Sequence, residues 1–152
     1  LQQPPMWKVS DPHSKAEVGA VCIQSAEQLW SGGNDGTVKL WDIGSGRHIE
    51  YSSYVVSSRA WLRHLNYCSD TGLLLASHSD GLSCIDARSG GVASYVGGQG
   101  QAFATHAFAL TKGVPSMLAC IGRRLLQYDL RHLPASARGL QVLDTWNFPS
   151  DA

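Results

Sequence analysis

Residues 31–43 read Ser-Gly-Gly-Asn-Asp-Gly-Thr-Val-Lys-Leu-Trp-Asp-Ile, a pattern typical of two β-strands joined by a tight turn. The turn falls at Asn34-Asp35-Gly36, because these residue types tolerate the positive φ angles that a hairpin turn requires. The residues after the turn are rich in β-branched and aromatic side chains and alternate in polarity, which favours a packed strand. The stretch therefore predicts a β-hairpin whose second strand ends in Trp41-Asp42.

The end of this hairpin recurs twice further along the chain. The matching strands of three successive units end in Asp42, Asp86 and Asp129, which lie 44 and 43 residues apart. Each of these aspartates follows a large apolar residue, which is in turn Trp41, Ile85 and Tyr128. A spacing of about 40–45 residues is the period of propeller blades that contain four strands each.

The hairpin and its recurrence closely resemble the blades of WD-repeat β-propellers. The resemblance implies an all-β fold, a WD-repeat β-propeller segment of about three four-stranded blades with partial blades at the ends. We predict blades at residues 17–53, 54–98 and 99–146. The end of a preceding blade and a linker are predicted at residues 1–16, and a tail at residues 147–152.

Closure of the ring is a constraint on any propeller, because an open ring exposes apolar faces and strand edges. At 43 or 44 residues a blade, 152 residues are too few for a seven-bladed ring. We therefore expect either a longer protein or a second chain to supply further blades. Residues 6–9 are predicted as the last part of a strand from the preceding blade. A compact β-sandwich is the main alternative fold that this length permits.

Composition narrows the class of partner. Twelve basic residues balance twelve acidic ones, and charged residues make up only 16% of the chain. A general nucleic-acid binder or an anionic-membrane binder would need a basic field, so we predict protein partners instead. The longest uncharged apolar runs, such as residues 73–76, are too short to span a bilayer. The four cysteines form no Cys-x-x-Cys pair and are interpreted as buried thiols of an intracellular protein, cytoplasmic or nuclear.

No arrangement of residues predicts catalysis. The chain has no phosphate-binding loop and no Gly-x-Ser-x-Gly elbow, and its six histidines form no His-x-x-x-His pair. Its acidic residues are scattered rather than paired in an apolar context. We therefore predict no catalytic residue, no cofactor and no metal, and expect that the chain is not an enzyme.

In WD-repeat propellers a turn Asp, a strand-two Ser or Thr, a strand-three Trp and a His from the preceding loop form a buried hydrogen-bond network. By resemblance, Asp35, Ser31 and Trp41 match three of these four positions, but no Gly-His pair precedes the blade. In the next blade Asp80 and Ser77 match, and Ile85 replaces Trp. In the third blade Gly122 replaces the Asp and Tyr128 replaces Trp. These residues are expected to be structural.

Exposed aromatic and arginine side chains are the better candidates for function, because Trp and Arg dominate the energy of protein interfaces. Trp61 lies in the loop region of residues 57–59, before strand one of the second blade, and Arg59, Trp61 and Arg63 are predicted to form a contact patch. The alternative is that Trp61 packs between blades, since aromatic rings carry much of the apolar burial in a core.

A finer resemblance is to the propellers of the spindle checkpoint and of mRNA export, which bind short peptide motifs. It covers most of residues 17–133 and depends on residues 29–33, 65–68 and 121–131. It implies that Arg123 and Arg124 lie on a blade face near the channel and engage an acidic peptide. The alternative is a solvated pair of arginines at an exposed turn, which contributes little.

The function predicted from these observations is a non-catalytic scaffold for protein–protein interaction within a larger complex. Two alternatives stay open at this point: a peptide-binding propeller, as the finer resemblance implies, and a regulatory propeller attached to an enzyme. The inference from fold to binding is one of analogy, because one fold serves many functions.

Overall fold

The computed structural model of the chain describes residues 6–56, 61–89, 91–96, 104–110, 116–121, 124–130 and 142–147. These residues form three four-stranded antiparallel sheets and contain no helix. In every sheet the strands are neighbours in chain order, which is the simplest meander that short turns permit. The three sheets are named blades 1, 2 and 3.

The strand bounds are as follows. Blade 1 contains β1 (Val18–Ile23), β2 (Gln28–Gly33), β3 (Thr37–Asp42) and β4 (His48–Val55). Blade 2 contains β5 (Leu62–Cys68), β6 (Leu73–His78), β7 (Gly81–Asp86) and β8 (Gly91–Val96). Blade 3 contains β9 (Ala104–Leu110), β10 (Ser116–Ile121), β11 (Arg124–Asp129) and β12 (Val142–Asn147).

Three details of the predicted organisation are wrong. The predicted end of the third blade at residue 146 falls inside β12, which continues to Asn147. The predicted boundary after residue 53 falls inside β4, which continues to Val55 through its pairing with β3. Residues 6–9 are not in a strand. The segment before β1, residues 6–17, is named the lead-in. It contacts blade 1 through side-chain hydrogen bonds: the indole N–H of Trp7 donates to the carbonyl of Ile43 at 2.6 Å, and Lys39 Nζ donates to the carbonyl of Pro12 at 2.7 Å.

Each blade presents two faces, because directly paired residues of neighbouring strands point to the same side of a sheet. The face that carries the residue before the last aspartate of the third strand is named the leading face, and the opposite face is the trailing face. In blade 1 the leading face carries Leu29, Ser31 and Trp41, and the trailing face carries Trp30, Val38 and Leu40. In blade 2 the leading face carries Leu65, Leu74, Ala76 and Ile85, and the trailing face carries Leu73, Leu75, Leu82 and Cys84. In blade 3 the leading face carries Met117, Ala119, Leu126 and Tyr128.

The core consists of two interfaces between successive blades. The trailing face of blade 1 packs on the leading face of blade 2 in one apolar cluster. The trailing face of blade 2 packs on the leading face of blade 3 in another. Trp41, Ile85 and Tyr128 thus occupy equivalent places on three leading faces. Each fully buried large aliphatic side chain contributes about 1.5–3 kcal/mol, so these two interfaces hold the blades together.

A glycine sets the distance between the first strands of blades 1 and 2. Gly19 lies at a register shift in β1, between Val18 and Ala20. A Cβ atom built on Gly19 would overlap the backbone carbonyl of Leu62, which cannot move without disturbing β5. Only glycine therefore allows β1 and β5 to approach this closely.

Candidate functional site

A buried chain of hydrogen bonds ties the leading face of blade 1 to the lead-in. The indole N–H of Trp41 donates to the hydroxyl of Ser31 at 2.7 Å. Ser31 Oγ lies 2.7 Å from Nε2 of His13, and Nδ1 of His13 lies 3.0 Å from Oδ1 of Asp35. His13 has no solvent-exposed surface. Four side chains from the lead-in, β2, the β2–β3 turn and β3 are thereby joined.

The direction of each bond follows from which groups can donate. Trp41 can only donate, so the hydroxyl of Ser31 accepts a hydrogen bond from it and donates its own hydrogen bond to Nε2 of His13. Nδ1 of His13 then carries the proton and donates to the Asp35 carboxylate. The hydroxyl and the backbone N–H of Thr37 also donate to Oδ1 of Asp35, at 2.8 and 3.0 Å. Each of the four side chains in this hydrogen-bond network thus has a partner for its buried polar atoms, as low-dielectric surroundings require.

His13 completes a network that the sequence predicted with one member missing. No Gly-His pair precedes β1, but Pro12-His13 supplies the ring. The backbone around it is unusual, because Asp11, Ser14 and Lys15 all have positive φ angles. A Cβ on Gly33 would overlap the imidazole of His13, so this glycine makes room for it. The absence of a side chain at Gly33 is the signal that could have indicated a bulky neighbour.

The histidine of this network is neutral near pH 7. Burial lowers the pKa of His13 from its ordinary value of 6.5, and the nearby Asp35 carboxylate opposes that change without overcoming it. For Asp35, burial raises the pKa, but hydrogen bonds from Thr37 and His13 outweigh burial and hold it below its ordinary value. The contact between these two residues is therefore a hydrogen bond from a neutral ring to a carboxylate rather than an ion pair.

Blade 2 does not form the network that the sequence predicted for Ser77 and Asp80. Leu74 pairs with Ile85 where Leu29 pairs with Trp41, so Ala76 occupies the place of Ser31. Ser77 therefore points to the trailing face, where its buried hydroxyl has no hydrogen-bond partner in the part of the chain that the structure describes. The physical reason is the shorter β6–β7 hairpin, since a shift of one residue moves a side chain to the opposite face.

In blade 2 a hydrogen-bonded pair, His78 and Ser83, stands in place of the predicted network. Nε2 of the buried His78 lies 2.9 Å from the hydroxyl of Ser83, and the backbone N–H of Asp80 donates to Nδ1 of His78 at 3.3 Å. Asp80 itself is exposed. Burial lowers the pKa of His78, and the Asp80 carboxylate raises it by less. The third-blade position predicted at Gly122 lies outside the described residues, and Tyr128 is buried on the leading face.

Three of the predicted contact residues, Trp61, Arg63 and Arg124, lie at one end of the sheets. This end, named the turn rim, holds the β2–β3 and β6–β7 turns. Trp61 and Arg63 flank the first residue of β5, which pairs with His78 at the end of β6. Trp61 is 59% exposed, and Arg63 is also exposed, so the structure does not bury Trp61 between blades. Arg124 opens β11 at the same end of blade 3 and is exposed; Arg59 and Arg123 lie outside the described residues.

Within the described ranges, no cluster of three or more His, Cys, Asp and Glu side chains could hold a metal ion. None of the described residues belongs to a helix with the length and hydropathy that a bilayer crossing needs.

Comparisons with known proteins match the chain by its fold. No protein-family model matches it, and no curated protein matches its sequence. The β-propeller domain of Cps50 (Swd1) from Myceliophteria thermophila is 17% identical, with a TM-score of 0.67 over 86% of this chain and 38% of that one. U3-55K is 12% identical, with a TM-score of 0.68 over 88% and 40% of the two chains. The RRP9 WD40 repeats are 12% identical, with a TM-score of 0.68 over 88% and 39%.

The fold predicted from the sequence is confirmed. The chain is an all-β segment of a WD40-type β-propeller, built from four-stranded blades that stack face to face. It spans about two fifths of the length of the structures that it resembles. At these identities the likeness concerns the fold, and function depends on the residues of this chain.

Two buried serines in strand two of their blades give a matched test of the network. We expect Ser31→Ala to lower the free energy of unfolding by about 1–3 kcal/mol, because it leaves Trp41 Nε1–H and His13 Nε2 without partners. Ser77→Ala removes a hydroxyl that makes no hydrogen bond to the described residues and should leave the stability unchanged or raise it. Urea unfolding of both variants measures the difference, and equal losses would contradict the assigned network.

The buried histidines predict a pH dependence of stability. The pKa values of His13 and His78 are lowered in the folded chain, so the unfolded chain binds more protons in this range. The contribution of the two neutral histidines to the free energy of unfolding is therefore fully present above pH 6.5, their ordinary pKa. It is lost as the pH falls through their lowered pKa values in the folded chain. Thermal unfolding from about pH 7 to 5 should show a falling Tm. The slope should shrink in His13→Gln and in His78→Gln, and an unchanged slope in both variants would refute this explanation.

Proposed function

We propose that this chain is a non-catalytic scaffold that binds another protein at the turn rim. The observation that carries the proposal is the indole of Trp61, which is 59% exposed at the first residue before β5. A ring of this size is costly to leave in water, and Trp and Arg are the residue types that dominate interface energy. The exposed Arg63 lies two residues further on, so an apolar anchor and a charged group share one site.

The backbone holds Trp61 in place for such a contact. The backbone N–H of Trp61 donates to the hydroxyl of Ser79 at 3.2 Å, and the backbone N–H of Ser79 donates to the carbonyl of Trp61 at 3.2 Å. These two bonds attach the residue to the β6–β7 turn. A side chain presented from a fixed backbone loses less conformational freedom on binding, which favours affinity.

The expected partner is a protein with an apolar pocket for the indole and an acidic or polar edge for Arg63.

The described cysteines Cys22, Cys68, Cys84 and Cys120 are all free thiols. Burial raises the pKa of Cys84 to about 12, so its thiol is unreactive at neutral pH. Cys68 and Cys84 are buried, whereas Cys22 and Cys120, which were also expected to be buried, are half-buried. Free thiols support the proposal of an intracellular protein in a reducing compartment.

Affinity capture with quantitative mass spectrometry tests the scaffold proposal. Trp61→Ala and Arg63→Glu should each lower recovery of the same partner protein at least about tenfold, as loss of an interface anchor does. Arg88→Glu is the matched control, because Arg88 is exposed at the opposite end of blade 2, next to the β7–β8 turn. Equal recovery with all three variants, or equal loss, would refute binding at the turn rim.

A second candidate function is the capture of an acidic peptide, as the finer resemblance implies. It is favoured by the placement of the exposed Arg63 and Arg124 at the same end of their blades. The exposed acids Glu17 and Asp80 lie at this end too, so its charge is mixed, and the Trp61 anchor supports the first proposal more directly. A regulatory propeller attached to an enzyme stays a prediction.

Charge reversal at the paired arginines separates the two candidates. If the rim captures an acidic peptide, Arg123→Glu with Arg124→Glu should abolish binding of a glutamate-rich peptide in a fluorescence-anisotropy titration, while Trp61→Ala weakens it less. If Trp61 is the anchor of a protein interface, the reversal should change partner recovery by a few-fold at most. Peptide binding that survives the reversal would exclude the second candidate.

A further inference from the structure

The imidazole ring of His78 is buried at the end of β6, next to the β6–β7 turn. Its Nδ1 accepts a hydrogen bond from the backbone N–H of Asp80 at 3.3 Å. Because a ring nitrogen that accepts a hydrogen bond carries no proton, the proton of the neutral ring is on Nε2, which donates to the hydroxyl of Ser83 at 2.9 Å. The two nitrogens of one ring therefore connect the turn to β7.

The same turn holds the backbone of Trp61. The backbone N–H of Ser79 donates to the carbonyl of Trp61, and the hydroxyl of Ser79 accepts from the N–H of Trp61, both at 3.2 Å. Ser79 lies between His78 and Asp80 in the chain. A movement of the turn that takes the Asp80 N–H away from the ring therefore also moves Ser79, because one peptide bond joins the two residues.

Protonation of His78 alters one of these two ring contacts. Nε2 donates to Ser83 in both the neutral and the charged ring, so that bond is kept. Nδ1 becomes a donor and then faces the N–H of Asp80, which is also a donor. Two donors cannot share a hydrogen bond, and a buried charge without an acceptor is costly, so the turn must move. The exposed carboxylate of Asp80 is an acceptor on the turn itself.

The charges around His78 come from blade 2 and from the neighbouring blade 1. Among the described residues, the titratable and charged side chains on the elements packed against the ring are Asp80 on the turn, Arg63, His64 and Tyr67 on β5, Cys22 and Tyr54 on the trailing face of blade 1, and Glu17 and Asp35 at its turn rim. Asp80 raises the pKa of His78, and burial lowers it by more. The ring is therefore neutral near pH 7 and gains its proton as the pH falls below its ordinary pKa of 6.5.

We propose that His78 is a pH-sensitive positioning residue for Trp61: the neutral ring holds the β6–β7 turn against Trp61, and the protonated ring releases it. The consequence for partner binding rests on the proposed function of the turn rim, whereas the release of Trp61 does not. A chain built in this way binds its partner at neutral pH and loses it on acidification, because a released Trp61 must be ordered again at a cost in conformational entropy.

Backbone amide hydrogen exchange of the 152-residue chain, followed by NMR, tests the release without any partner. Protection factors correct for the pH dependence of the exchange chemistry itself. Those of the Trp61 and Ser79 amides should fall at least about tenfold between about pH 7.5 and pH 5. The amide of Ala119 is the internal reference, because it lies in β10 of blade 3, which is paired on both sides. It should keep its protection.

Three variants assign the effect to His78. His78→Gln retains a donor and an acceptor but does not titrate, so both amides should stay protected at either pH. Asp80→Asn leaves the ring and the core intact and removes the carboxylate that raises the pKa of His78, so the loss of protection should move to lower pH. His13→Gln is the matched control at the other buried histidine and should keep the wild-type loss.

Affinity capture at the same two pH values tests the consequence for binding. The wild-type chain should recover at least about tenfold less partner at about pH 5, and His78→Gln should recover equal amounts at both. The proposal is overturned if protection of Trp61 and Ser79 is independent of pH, if its loss persists in His78→Gln or extends to Ala119, or if Asp80→Asn leaves the pH of the loss unchanged. Equal recovery by the wild-type chain and Trp61→Ala at neutral pH contradicts the proposed function instead, since the exchange measurement involves no partner.

Discussion

The hydroxyl of Ser31 is the group on which blade 1 depends. It accepts a hydrogen bond from the indole of Trp41 and donates one to His13, so it connects two strands to a segment outside the sheet. This series of hydrogen bonds ends at Asp35, whose Oδ1 also accepts a hydrogen bond from the hydroxyl of Thr37 at the end of the β2–β3 turn. Because a buried polar group without a partner is costly, the turn, the two strands and the lead-in are stabilised together. The lead-in is thus part of the blade, although it belongs to no strand.

The other blades place different groups at the same positions. Blade 2 has Ala76 and Ile85 where blade 1 has Ser31 and Trp41, and its polar pair His78–Ser83 lies nearer the turn rim. Blade 3 has Ala119 and Tyr128 there. Their leading faces are covered by the preceding blade, so apolar packing stabilises them. On blade 1 the hydrogen-bonded lead-in packs against part of the leading face.

Much of this fold could be predicted from local sequence. The hairpin at Asn34-Asp35-Gly36 and the recurrence of Asp42, Asp86 and Asp129 were sufficient for the blade pattern, because turn chemistry and strand alternation are local. The role of His13 was missed because its contacts are made across 18 and 22 residues and its loop lacks the expected Gly-His pair. Ser77 was assigned wrongly because the β6–β7 hairpin is one residue shorter than the β2–β3 hairpin. Alignment by residue type does not reveal which face of the sheet a side chain occupies.

Trp41, Ser31, His13 and Asp35 form one continuous chain of hydrogen bonds that fixes the lead-in on blade 1. Hydrogen exchange of the tryptophan indole protons, followed by NMR, tests it most directly. The exposed Trp61 provides an internal reference in the same spectrum. The indole proton of Trp41 should exchange at least about a hundredfold more slowly than that of Trp61, and His13→Ala should remove most of this protection. Equal exchange rates for the two indoles in the wild-type chain would contradict the account.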